Sequence, residues 1–366
     1  MKALNTGIRY FVGVFFIFSG LIKINDPVGT SIKLKEYFQV FSADFGSFFE
    51  IFIPFSLELA VIVVVLEVVL GFAAIIAYRF NITTWILLVI IIFFTFLTFY
   101  SAAFDKVTDC GCFGDAIPLT PLQSFIKDLV LLGLIIFIFI KRKSFQPIIK
   151  QPKSDFIVIG FTAFCLLLSV YAIRHLPYID FRPYNVGANI QENMQPSAEY
   201  QYQYVMKKDG EKFKFEVYPS DTTYEFVEMN LLNPEAQPKI TDYSVWNDEG
   251  DFTEKTFQGK KLLIIIENIV KADKQALQEI NAVAQNLAGK VEPMILTSND
   301  ERTFESYRHE YQLAIDYYYA DHTVLEAMIR SNPGIMLLQD GTVLDKWHYN
   351  DVPESDDVLE LLNEEN

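Results

Sequence analysis

The sequence predicts an α-helical membrane bundle followed by an α/β domain. Three observations carry this prediction. About half of the residues are apolar, and the long uninterrupted apolar runs lie only in the first half of the chain. Charge divides the same way: residues 1–172 hold 13 Lys and Arg against 11 Asp and Glu, whereas residues 173–366 hold 17 against 35. The second half alternates short strand-like and helix-like segments, the order of an α/β layer fold. A chain of 366 residues has room for roughly two or three domains.

A helix needs about 20 mostly apolar residues to span a bilayer. Five runs meet that length, at 4–24, 54–77, 82–103, 121–140 and 155–173. The first stands where a signal peptide would, but no small-residue cleavage site follows "SGLIKINDP" and four more runs come after it, so it reads as a retained span. Basic residues set orientation. The strongest cluster is "KRKSFQPIIKQPK" at 141–153, which places that loop in the cytoplasm. Alternation then puts the N-terminus and the Arg79 turn inside, and residues 25–53, 104–120 and everything past the fifth run outside. Lys33 and Lys35 run against the trend, beside Glu36 and Asp44.

Ionisable residues within spans are costly and are candidate functional groups. Lys23, Glu67, Lys127 and Asp128 stand out. Lys23 and Lys127 lie near span ends, where a long side chain can also reach the interface. Glu67 lies deeper, and Gly71 one turn on permits close helix approach on that face, so Glu67 is expected to point into the bundle, protonated or bonded. Glu58 is half a rotation away and is expected at the interface.

"FIFSGLIKINDP" (15–27), "LEVVLG" (66–71) and "CGCFGD" followed by "PLQSFIKDLVLLGL" (121–134) resemble the DoxX-like and MauE branch of small four-helix membrane proteins, over about residues 1–140. The resemblance implies a four-helix bundle in a bacterial inner membrane, associated with periplasmic disulfide formation, with Cys110 and Cys112 at its outer rim. Residues 141–173 then form the basic cytoplasmic loop and a fifth helix that exports the rest of the chain.

Cys110 and Cys112 admit three readings. The first is thiol–disulfide exchange, in which one thiolate attacks a substrate disulfide and its neighbour resolves the mixed species; the ring closed by Cys-x-Cys is small and strained, and Lys127 and the first turn of the fourth span are placed to lower a thiol pKa. The second is a structural turn, and the third a soft-metal site such as one for Cu(I). On the outer face a disulfide would persist. Cys165, alone in an apolar helix, reads as packing.

Residues 174–235 read as a linker with a small β segment. "YQYQYVMKKDGEKFKFEVYP" (200–219) alternates aromatic and polar residues about Asp-Gly, the pattern of a β-hairpin, which Tyr224 and Phe226 extend. From 236 the pattern gives a strand, a "NDEGD" turn, a short helix and an apolar strand at 261–266. It continues with a helix at 272–288, the strand "VEPMILT", a helix near 302–312, the strand "AIDYYYA", a helix at 322–330, strands at 334–339 and 342–348, and a helix at 354–363.

This order, with "SNPGIMLLQDGTVLDKW", resembles the thioredoxin fold in its TlpA and peroxiredoxin-like branch, over residues 236–366. The resemblance implies a cis-proline loop at Asn332 and Pro333 beside a binding site. It also exposes a departure. A thioredoxin dithiol follows the first core strand at a helix N-terminus, where the helix dipole favours thiolate; here that stretch is "ENIVKADKQALQEI", without cysteine, so the domain cannot exchange dithiols by itself.

The four histidines (175, 309, 322, 348) show no metal-ligand spacing and read as surface or capping residues, and no phosphate-binding loop occurs. The acidic second half argues against nucleic acid as a partner. Two functions remain. One is a redox-associated membrane protein whose cysteine pair passes electrons to a quinone or a periplasmic thiol protein while the cysteine-free domain holds the client. The other is a non-catalytic scaffold in an envelope complex, for which Tyr317, Tyr318 and Tyr319 could be contact residues, although core and edge filling explains them equally. A transporter fits poorly, since five spans show no repeat. The client and the oligomeric state are not written in the sequence.

Overall fold

The computed structural model describes residues 2–104, 106–107, 111 and 113–364. The chain divides into two compact units, Met1–Phe181 and Arg182–Asn366.

The first unit is helical. It comprises α1 (Lys2–Asn25), α2 (Pro27–Phe45), a 3-10 stretch Ser47–Phe55, α3 (Ser56–Ile76), α4 (Phe80–Phe104), α5 (Pro121–Ile140) and α6 (Lys153–Arg174). Five of its helical segments are long and apolar enough to cross a membrane, at 3–25, 47–76, 80–104, 121–140 and 153–174. Short-range chemistry sets the helix starts. Asp26 caps α2 by accepting the Gly29 N–H, with Pro27 at the first helical position, where its missing N–H costs nothing. Thr120 and Gln123 cap α5 reciprocally, satisfying two N–H groups that the helix itself leaves unbonded. Helix α2 falls in the segment between the first two spans; its Tyr37 and Phe41 are buried, packed with Leu97 and Tyr100 of α4.

Helices α1 and α3 come close at Gly13 and Gly71. A Cβ on Gly71 would lie 2.6 Å from the Gly13 carbonyl oxygen and 2.8 Å from the Ile17 nitrogen. With no hydrophobic force between helices in lipid, such small-residue contacts let backbones pack and gain dispersion energy. Beside this contact, Val12, Phe16, Leu70, Leu87, Ile91, Leu131 and Ile135 form a shared core across α1, α3, α4 and α5. Helix α6 packs on α1 and α3, with Cys165 buried among Ile24, Val64, Val65 and Val68, the packing role read from its sequence context.

The second unit opens with α7 (Ile190–Asn193), then β1 (Tyr202–Lys208), β2 (Glu211–Phe215) and β3 (Glu225–Leu231), a sheet in the order β2-β1-β3. Lys208 pairs with Glu211 across Asp209 and Gly210, both left-handed at φ 53° and 88°, the mirror-image turn that suits the twist of a hairpin. Beyond the hairpin, Asp221 accepts from the Thr223 N–H and hydroxyl and from Lys208. Those bonds, the Thr223 N–H first, hold its carboxyl down at about 2. A depressed carboxylate stabilises the fold above its unfolded value near 4 and loses that contribution as pH falls toward its folded value. The stability of this sheet therefore declines on acidification from about pH 4 to 2, and Asp221→Asn flattens that decline, as read by hydrogen exchange at β1 across the range.

The remaining elements are β4 (Trp246–Asn247), β5 (Gly250–Asp251), α8 (Thr253–Thr256), β6 (Lys260–Ile266), α9 (Lys274–Asn286), β7 (Glu292–Thr297), α10 (Glu301–Glu310), β8 (Tyr317–Tyr319), α11 (His322–Met328), β9 (Gly334–Gln339), β10 (Thr342–His348) and α12 (Ser355–Glu364). Their sheet runs β10-β9-β6-β7-β8-β4-β5, with β6 parallel to β7 and antiparallel to β9. Strand β6 is buried on both faces, which is why it reads as an unbroken apolar run. The first strand expected after 236 shrinks to Trp246–Asn247. The stretch before it is irregular, and its Ile240, Tyr243 and Val245 side chains are nonetheless buried; the Ile240 N–H bonds the Asn193 carbonyl instead of a strand.

Candidate functional site

At the end of the bundle that carries the α4–α5 loop, α1, α2, α3, α4 and α5 enclose a cavity with about 720 Å³ of space between its lining atoms, open mouth included. Its surface is mostly apolar, and all four ionisable residues singled out from the spans, Lys23, Glu67, Lys127 and Asp128, line it. Packing brings them together in two pairs.

Lys23 is only 8% exposed and Glu67 3%. Lys23 Nζ donates to Glu67 Oε2 at 2.7 Å and to Ser19 Oγ at 3.2 Å, and it lies 5.0 Å from the centre of the Phe94 ring. Lys23 therefore turns inward, and the alternative of reaching out to the interface does not describe it. Glu67 points into the bundle with a bonded partner, while Glu58 is exposed. Asp128 is 1% exposed; it accepts from Lys127 Nζ at 2.6 Å and from Thr98 Oγ1 at 3.0 Å. The Lys127 ammonium sits over Phe113 and Phe15, 5.4 and 5.8 Å from their ring centres. A buried charge in a low-dielectric setting is tolerated only when paired and hydrogen-bonded, and both pairs meet that condition.

Gly111 also lines this cavity. It is left-handed, with φ at +62°, and a Cβ on it would lie 3.1 Å from Lys33 Cγ. In sequence it is the residue between Cys110 and Cys112; those two cysteines lie outside the described residues. Thr98 and Gly111 are wall residues that sequence reasoning did not single out, and Lys33 stood out there only for its bearing on orientation. A lone hydroxyl in an apolar span carries no signal until α4 is set against α5. Arg9 was also passed over: it is buried within α1, stacked on Tyr10 and Phe145.

In the second unit the Asn332–Pro333 peptide is cis. Asn332 Nδ2 donates to the Asn268 carbonyl at 2.7 Å, and the Asp273 N–H donates to the Asn332 carbonyl. These bonds tie the proline loop to residues 267–273, which join β6 to α9. That joining loop presents Val270 at 88% exposure. The tyrosines divide in role. Tyr318 is buried and its hydroxyl accepts from Lys255, Tyr317 packs on Phe304, and Tyr319 faces Trp246.

Of the histidines, His348 is buried against Tyr349 and accepts the Asn350 N–H, so of the surface and capping roles expected it is not at the surface but bonds a backbone N–H as a cap does. His322 lies between Glu267 and Glu326, 3.4 and 3.5 Å away, a group with the spacing of metal ligands. This corrects the reading that the histidines show no ligand spacing; the one-turn separation of His322 and Glu326 is the signal that was passed over. Glu267 joins them only through the fold, from the end of β6.

Comparison with known proteins agrees with this division. Residues 1–141 match the family model for Methylamine utilisation protein MauE. The bundle is MauE-like. Protein TlpB of Flavobacterium psychrophilum is 28% identical over 162 residues, 42% of this chain. The match spans about two fifths (40%) of that relative's own length. The protein thus joins a MauE-like membrane bundle to an α/β domain of thioredoxin-like order. The MauE match covers the whole cavity wall and the Cys110-Gly111-Cys112 segment.

Proposed function

We propose that this protein supports thiol–disulfide exchange on the periplasmic face of a bacterial inner membrane through Cys110 and Cys112, with the cysteine-free thioredoxin-like domain holding the client protein. One observation carries the reading: Gly111, between the two cysteines, lines a cavity that also holds two buried cation–carboxylate pairs. The Lys33 side chain packs beside Gly111 and the Lys127 ammonium lies over Phe113, and a cation beside a thiol favours thiolate, the reactive form. In the exchange a client dithiol passes two electrons and two protons to the Cys110–Cys112 disulfide. The client leaves with a disulfide and the pair is left as two thiols. The second domain contributes the cis-proline loop at Asn332 and Pro333 and the exposed Val270 as a peptide-docking edge, and tethering raises the local client concentration.

Cys110→Ser and Cys112→Ser each abolish oxidation of the client pool, read by trapping envelope thiols with a cell-impermeant alkylating reagent. The competing reading, a non-catalytic scaffold, is favoured by the absence of any cysteine between β6 and α9. Full complementation of a deletion strain by the double serine variant would establish the scaffold and sink the exchange.

A further inference from the structure

The dithiol left after exchange must be reoxidised, and the cavity beside Gly111 has the chemistry to admit an acceptor. We propose that the cavity binds the ring of a lipid-soluble quinone, a deepening that rests on the thiol reading above. Three features select this class of ligand. The site lies within a membrane bundle and is walled by Phe15, Phe16, Phe94 and Leu131, so its ligand is apolar and planar enough to lie against aromatic faces. Polar groups enter at only a few points, and these include ammonium donors. Lys23 has three N–H groups and commits two of them to Glu67 and Ser19 among the described residues, which leaves one for a ring oxygen. Lys23 and Lys127 line the cavity paired with Glu67 and Asp128, and Lys33 is paired with Glu36, so the wall carries hydrogen-bond donors without a net charge and suits an uncharged ring with carbonyl oxygens.

The step balances. Two S–H bonds at Cys110 and Cys112 break and one S–S bond forms; the two electrons and two protons released reduce the quinone to a quinol, its two carbonyl oxygens becoming hydroxyls. Glu67 and Asp128, each bonded to a lysine, hold those lysines in position toward the ring. A phospholipid acyl chain also suits an apolar cleft, but it has no use for buried ammonium groups.

The test uses the full-length Cys110→Ser/Cys112→Ser protein in detergent, so that binding is read without turnover. Short-chain ubiquinone and menaquinone analogues are titrated by calorimetry, and an azido-quinone is photo-crosslinked and its adducts mapped. The expected result is saturable binding with adducts on the cavity-wall residues of α1 to α5. Lys23→Met weakens it about tenfold or more, the worth of one charge-assisted hydrogen bond. Leu34→Trp, which fills the cavity without touching either ion pair, blocks it, so the conclusion does not depend on a variant that disturbs the buried charges. Binding that Leu34→Trp leaves unchanged, adducts elsewhere, or co-purified phospholipid that no analogue displaces overturns the proposal. Because the thiols are absent throughout, failure here removes the quinone and not the exchange, and failure of exchange in the cysteine variants leaves this binding result standing.

Discussion

Glu67→Leu alone lowers the stability of the bundle by about 3–5 kcal/mol, the cost of stranding one buried charge, and adding Lys23→Met recovers most of the loss. The ammonium of Lys23 stays in an enclosed site with Ser19 and the Phe94 face as its remaining partners, and neither carries compensating charge. The double variant removes both charges and keeps an apolar wall, which a membrane bundle accepts readily. Thermal unfolding of the detergent-solubilised protein in a double-mutant cycle reads the coupling directly. A double variant no more stable than the single one would show that Glu67 acts through something other than Lys23.

Gly71→Leu separates α1 from α3 and costs about 1–3 kcal/mol or more, the range for forcing bulk into a packed seam. The neighbours that its Cβ would meet are backbone atoms of Gly13 and Ile17, which cannot turn aside as a side chain can. Gly133→Leu provides the control, because nothing lies within 4 Å of a Cβ there and the residue is exposed. The two variants add the same apolar volume to membrane helices, so a difference in melting temperature between them isolates the close approach. Equal melting temperatures would remove Gly71 from the account of how the bundle holds together.

Much of this architecture was legible in the sequence. Five spans follow from composition alone, because no soluble core needs that much apolar sequence, and the hairpin about Asp209-Gly210 follows from alternation and turn chemistry. Helix α2 was not legible: its buried Tyr37 and Phe41 stand in a short apolar stretch flanked by Lys33, Lys35, Glu36 and Asp44, too polar a segment to span, and its role depends on α4 lying beside it. The irregular stretch before Trp246 misread as strand because Ile240, Tyr243 and Val245 carry strand-like burial on a backbone held by other bonds. In the site, Lys23, Glu67, Lys127 and Asp128 announced themselves, since charge in an apolar run is costly. Their pairing did not, because it is set by which helices touch. Thr98 and Gly111 carried no signal for the same reason. The Glu267, His322 and Glu326 group was missed: the sequence reading found no ligand spacing among the histidines, and Glu267 joins the other two only through the fold.

The segment that follows the membrane unit does more than connect. Gly187 N–H donates to the Val343 carbonyl, the Val343 N–H returns a bond to Ala188, and Ile190 N–H bonds the Gly341 carbonyl, so these residues lie along the outer side of β10, the terminal strand of the large sheet. Arg182, buried at 4%, and the Tyr184 carbonyl, which accepts from Lys346, anchor the same stretch. An uncovered terminal strand is a template on which other chains polymerise. A fragment begun at the hairpin would therefore bare that template, and a self-contained soluble fragment has to start upstream of Arg182 to keep its own guard against clumping.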